Sequence, residues 1–183
     1  MPDRDELGSA WKTPPSRYLA GRPAEFRIGE PASLYVTMPD GCRLAVDVQL
    51  PEGAAGARWP TVLILTPYIR RFRMAAGSNS EASPNTFRYR DMFVPRGYAL
   101  VVVDARGTGA SFGTRDSFRS PRERADYSAI ADWIVAQSWS DGRIGATGIS
   151  YLGAACDFLA STGHKAVKAN APLFAVWDPW ADN

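Results

Sequence analysis

From residue 33 the hydrophobic positions fall on every second residue: Leu34, Val36 and Met38, then an Asp40-Gly41 pair, then Leu44, Val46, Val48 and Leu50. Alternation puts successive side chains on opposite faces, so this stretch predicts a β-hairpin with one buried face. Two other segments are apolar without alternation, residues 61–65 between Pro60 and Pro67 and residues 98–103 after Gly97. Such runs predict strands covered on both faces of a parallel sheet. Between them, residues 69–85 are rich in Arg, Ser and Gly and read as a long loop skirting an edge, followed by a helix over 86–94. Ser120-Pro121-Arg122-Glu123 is a capping box with proline at the first helical position, and Tyr127, Ile130, Ala131, Ile134 and Val135 then recur at helical spacing. A strand over 143–147, a small-residue helix starting near Ser150 and a strand over 165–171 complete the pattern. The order predicts an α/β fold, a mostly parallel doubly wound sheet opened by an antiparallel hairpin. Residues 1–30 carry prolines and charges without period and read as an extended or poorly ordered arm, leaving residues 31–183 as the folded unit.

Composition narrows the function classes. With 183 residues and 45% hydrophobic content the chain can bury one substantial core. The net charge of +2 and the scattered arginines give no electrostatic case for nucleic acid or a membrane surface. No apolar run approaches the roughly 20 residues of a membrane span, and the first twenty residues lack the apolar centre of a secretory signal, so a cytoplasmic protein is expected. Cys42 and Cys156 match neither a disulfide framework nor a metal-ligand spacing, which predicts two buried thiols in a reducing compartment and no metal. Nothing in the composition sets an oligomeric state.

Two glycine-bearing segments carry candidate chemistry. In Gly148-Ile149-Ser150-Tyr151-Leu152-Gly153 a serine stands between a predicted strand and a predicted helix. A hydroxyl in that position could be a nucleophile held at a sharp turn beside helix amides, or simply a helix N-cap. The second glycine falls one step later than in G-x-S-x-G. In Asp104-Ala105-Arg106-Gly107-Thr108-Gly109-Ala110-Ser111-Phe112-Gly113 the glycines follow a strand as in a dinucleotide-binding turn, but no helix follows to receive a pyrophosphate. The plainer reading is a tight structural loop with Asp104 and Arg106 hydrogen-bonded into place.

These two segments, with Trp139-Ser140-Asp141-Gly142-Arg143-Ile144-Gly145 and Pro67-Tyr68, resemble in order the motifs of the Xaa-Pro dipeptidyl-peptidase and cocaine-esterase family. The likeness covers roughly residues 32–178, and its G-x-S-Y-x-G pattern accounts for the displaced glycine. The resemblance implies a partial α/β-hydrolase fold and attack by Ser150 on an ester or peptide amide. It also implies oxyanion donors at the Tyr151 N–H and the Tyr68 hydroxyl, a small-molecule ester or peptide substrate, and no cofactor. The acid and histidine of such a triad would come later in the chain, after a helical insertion, so the machinery would be incomplete here.

The residues present agree with that expectation. His164 is the one histidine, and it precedes the strand after the Ser150 helix, at the far edge of the sheet, where a surface-loop role is expected. Asp157 is the sole carboxylate between Ser150 and His164, and Asp178 follows the next strand too soon to serve as the acid. Trp177, Asp178 and Trp180 lie toward the carboxyl edge, either lining a pocket or covering the core. Arg70, Arg71 and Arg73 are expected in a solvated loop rather than in an acid-binding site. A reading from another class is a noncatalytic module that binds a partner through the open sheet edge at 165–171.

Overall fold

The structure is a computed structural model and describes residues 15–117 and 119–175. Its elements in chain order are α1 (Pro15–Ala20), β1 (Arg27–Ile28), β2 (Ala32–Thr37), β3 (Arg43–Gln49), β4 (Pro51–Glu52), β5 (Trp59–Thr66), α2 (Phe87–Phe93), a 3₁₀ turn (Val94–Arg96), β6 (Ala99–Asp104), α3 (Pro121–Val135), β7 (Ser140–Ile149), α4 (Tyr151–Ala160) and β8 (Val167–Leu173). The main sheet has the order β2-β3-β6-β5-β7-β8. β2 and β3 form the expected antiparallel hairpin, turning at Gly41 with φ 82°, and β3 runs antiparallel to β6. β6, β5, β7 and β8 are mutually parallel. The carboxyl ends of β5, β6 and β7 therefore share one rim.

Period-two alternation along the central strands splits the core in two. Leu63, Leu65, Val101 and Val103 face α3 and α4, where Tyr127, Ile130, Ile134, Tyr151, Cys156 and Leu159 are buried. Val62, Ile64, Leu100 and Val102 face the other way, against Val94, Tyr89 and Phe93. Each central strand is thus apolar on both faces, as the unbroken runs require.

Several expectations need correction. β3 is covered on both faces: Ala45 and Asp47 are buried on the side opposite Leu44, Val46 and Val48, where Ser111 accepts from the Ala45 amide and Arg70 and Arg71 pair with Asp47. β7 begins at Ser140 rather than residue 143 and runs ten residues, since Gly142 takes φ 84° and lets the Asp141-Gly142 step join the strand. β8 starts two residues late, after a turn in which the Val167 amide donates to the His164 carbonyl. Within the amino-terminal arm, Arg27–Ile28 pairs with Pro51–Glu52 in a separate two-stranded sheet, and Pro15–Ala20 is helical. No helix of the described residues is long and apolar enough to cross a membrane.

Candidate active site

Ser150 sits between β7 and α4 with φ 59° and ψ −122°, a conformation that costs a non-glycine residue free energy and persists only when the surroundings impose it. The residue is exposed and its side chain makes no cap hydrogen bond to the helix it precedes. An N-cap serine would have extended φ and ψ and would accept from an amide of the first turn, as Ser120 does from the Glu123 amide at 3.1 Å. The structural explanation for a serine at this position is therefore not capping.

The flanking glycines are needed for close approach. A Cβ on Gly148 would stand 2.3 Å from the Leu152 Cβ, and one on Gly153 would stand 2.7 Å from the Leu173 carbonyl oxygen and 2.9 Å from that of Gly148. The glycine one step beyond the common pattern is thus the helix position that β7 and β8 press upon, while Leu152 fills the opposite core. The Ser150 amide donates to the Leu173 carbonyl at 3.0 Å and pins the turn to β8.

Tyr68 stands at the end of β5 and is 45% exposed. Its ring centroid lies 6.3 Å from that of Tyr151 at 72°, so the rim brings together the three sequence-predicted residues Ser150, Tyr151 and Tyr68. Asn85 donates to the Tyr68 carbonyl at 2.8 Å, and Ile69 beyond it has φ 69°. Tyr151 itself points inward and is buried. Its hydroxyl and that of Tyr127 both donate to Glu123 Oε1, and the Arg115 guanidinium lies 4.6 Å from its ring centroid. Burial foremost pushes the ionisation of both phenols well above that of a free tyrosine. Glu123, Tyr127 and Arg115 were missed from sequence. The capping-box role accounted for Glu123 in advance, though its i, i+4 spacing to Tyr127 on one helix face was a usable signal.

The neighbouring loop after β6 is stitched by its own polar groups. Asp104 is fully buried and accepts from the Arg70 amide at 2.7 Å, the Arg70 guanidinium at 2.7 Å and the Ala110 amide at 3.0 Å. Gly109 has φ 54°, and a Cβ there would fall 2.3 Å from the Asp104 carboxylate. Arg106 pairs with Asp126 at 2.5 Å and Asp40 at 2.8 Å, bonds that hold its guanidinium charged above the ordinary arginine range. Gly109 thus serves the Asp104 contact, and Gly107 makes room for the Arg115 amide, where a Cβ would fall 2.7 Å away, which bears out the structural-loop reading. Arg70 departs from its expected solvation: it is mostly buried and bridges Asp104 and Asp47, and Arg71 also pairs with Asp47. Arg73 is exposed.

His164 is at the opposite end. Ser150 is level with Leu173, and His164 precedes Val167, six residues or roughly 20 Å earlier along β8 at about 3.3 Å per residue. Its side chain is only 13% exposed and lies 3.1 Å from Asp132, so it fastens the β8 turn to α3 rather than lying free on a surface loop. Cys156 is buried as expected, whereas Cys42 is only partly so. Trp177, Asp178 and Trp180 lie outside the described residues.

A mixed, mostly parallel sheet with helices on both faces, and an exposed serine at a strained strand-to-helix turn on its carboxyl rim, define an α/β-hydrolase fold. An α-amino acid ester hydrolase superposes with TM-score 0.68 at 27% identity over 93% of this chain and 30% of its own. A CocE/NonD family hydrolase from Staphylococcus aureus gives TM-score 0.67 at 29% identity, over 84% and 28%. The X-Pro dipeptidyl-peptidase (S15 family) model matches residues 40–183, and the chain belongs to that family. A Mycobacterium bovis relative designated a serine esterase is 37% identical over 190 residues, covering 100% of this chain and 30% of its own length. The cocaine esterase of a Rhodococcus strain is 37% identical over 153 residues, covering 81% and 25%. The chain thus spans less than a third of the length of these relatives.

Proposed function

We propose that this chain supplies the nucleophile and oxyanion-binding half of a serine hydrolase, with the Ser150 turn as a nucleophile elbow. The observation that carries the reading is the positive φ of an exposed serine whose hydroxyl does no capping work, next to a helix amino terminus. Ser150 Oγ attacks the carbonyl carbon of an ester or peptide amide and passes its proton to a base. The carbonyl π electrons move onto oxygen, and the Tyr151 N–H and the Tyr68 hydroxyl donate to that oxyanion. Collapse of the tetrahedral intermediate expels the alcohol or amine, protonated by the same base, and leaves an acyl-enzyme on Ser150 that water then cleaves. The one histidine of the chain is at the opposite end of the sheet from Ser150, so on this reading the base is a group other than His164. No step of this chemistry calls for a cofactor. Names of the relatives support esters and peptides alike as the substrate class.

The test is kinetic. In the full-length polypeptide containing this chain, Ser150→Ala should abolish hydrolysis of an activated ester, and Tyr68→Phe should lower kcat by about two to three orders of magnitude. A Tyr68→Phe enzyme with unchanged kcat removes that hydroxyl from the mechanism, and an active Ser150→Ala enzyme removes the whole proposal. A second reading is favoured by the outer edge of β8, whose residues 168–173 are exposed. On this reading the edge is an interaction surface, and a folded chain that binds a partner there but never acylates Ser150 would support it.

A further inference from the structure

Beneath the Ser150 turn sits a carboxylate with no part in the reaction just described. Glu123 is 3% exposed; its Oε1 accepts from the Tyr127 and Tyr151 hydroxyls, and its Oε2 is buried with no hydrogen-bond partner. Burying a carboxylate is costly, and capping α3 does not require it, because Ser120 already accepts from the Glu123 amide and the capping box is only half formed. On the face of the Tyr151 ring lies Arg115, whose Nε and Nη2 are likewise buried without a partner. The ring is therefore held by a cation on its face, a carboxylate at its hydroxyl and the Tyr68 ring at its edge. Such a grip exceeds what a core tyrosine needs. It acts on the residue covalently joined to Ser150, whose own backbone conformation must be imposed from outside.

We infer that Glu123 is a positioning residue for acyl transfer: through the Tyr151 phenol it sets the orientation of the peptide unit between Ser150 and Tyr151, whose N–H meets the oxyanion. This rests on the reading of Ser150 as nucleophile. Tyr127 is the comparison residue: it bonds the same carboxylate oxygen and its hydroxyl also bonds that of Tyr151, but it stands on α3 with no covalent link to the turn, and its loss leaves the Glu123–Tyr151 bond in place.

The experiment measures the rate at which a fluorophosphonate modifies Ser150 in the full-length polypeptide, per folded molecule, with thermal melts run alongside. Glu123→Gln and Tyr151→Phe should each slow modification by about ten- to a hundred-fold, the scale of a small misplacement at a reacting centre. The double variant should be no slower than the slower single, because both break one linkage. Tyr127→Phe should lower the melting temperature yet leave the rate within about two-fold. Wild-type rates in a folded Glu123→Gln protein, multiplicative slowing in the double variant, or equal slowing by Tyr127→Phe would each overturn the inference. Should Glu123→Gln fail to fold, the contrast between Tyr151→Phe and Tyr127→Phe decides alone. A wild-type protein never modified at Ser150 removes the parent reading along with this one, whereas normal modification with indifferent variants removes only the role of Glu123.

Discussion

Two turns leave the carboxyl rim of the sheet on either side of β5, and they solve the same geometric problem in opposite ways. After β6 the chain reverses with its positive φ angles on Gly107, Gly109 and Gly113, and the Asp104 carboxylate is saturated by two amides and a guanidinium. After β7 the positive φ falls on Ser150, a residue with a Cβ, and no side-chain bond compensates it locally. The first turn stores its cost in residues suited to it and returns stability. The second carries strain that its neighbours must hold in place, which is what the proposed role of Ser150 requires.

The largest expected effect breaks the first turn. Asp104→Ala removes three hydrogen bonds, one of them half of the Arg70 pairing, and should destabilise the fold by about 3–5 kcal/mol, measured by urea unfolding. A loss below about 1 kcal/mol would show that the loop is not the stabilising partner in this comparison.

The next effect is alkaline and belongs to the second turn. Burial raises the ionisation of Tyr127 and Tyr151, and lifts the Cys156 thiol to about 12. A raised folded-state pKa means that the neutral form is favoured by folding. The stability from the phenols is therefore complete below about pH 10, where an unfolded tyrosine ionises, and is lost as pH climbs toward the folded values. Each fully engaged group contributes about 1.4 kcal/mol per pH unit, with the thiol contributing from about pH 9. Urea titrations from pH 8 to 11.5 should show this fall, Cys156→Ala should flatten its first part, and Tyr127→Phe its later part. A pH-independent midpoint across that range contradicts the burial of these groups.

The smallest effect has the opposite sign. Ser150→Gly relieves the strained φ at the expense of added unfolded-state freedom, so stability should rise by up to about 1 kcal/mol while activity disappears. Destabilisation on the scale of Asp104→Ala would mean that the serine turn is built for stability after all.

Much of this was legible from the chain. The runs at 61–65 and 98–103 located the two central strands to within a residue or two, because unbroken apolar sequence has few other homes. The hairpin turn at Asp40-Gly41 and the Ser120 cap were readable because local backbone chemistry determines them. β7 was read short, since Asp141 and Gly142 do not look like strand residues and only the pairing of Ser140 with Trp59 on β5 draws the segment in. Ser150, Tyr151 and Tyr68 were singled out by motif, and the structure sets them on one rim, but the burial of Arg70 and the bond from Tyr151 to Glu123 depend on contacts 34 and 28 residues away. Local pattern carries no information on such pairings.

The most direct measurement is peptide mapping of the full-length polypeptide after brief exposure to a fluorophosphonate, with Ser150→Ala as the control. The account predicts one adduct per folded molecule, on Ser150, and none in the variant. A folded protein that stays unmodified, or that carries its adduct on another hydroxyl while Ser150 remains free, contradicts it.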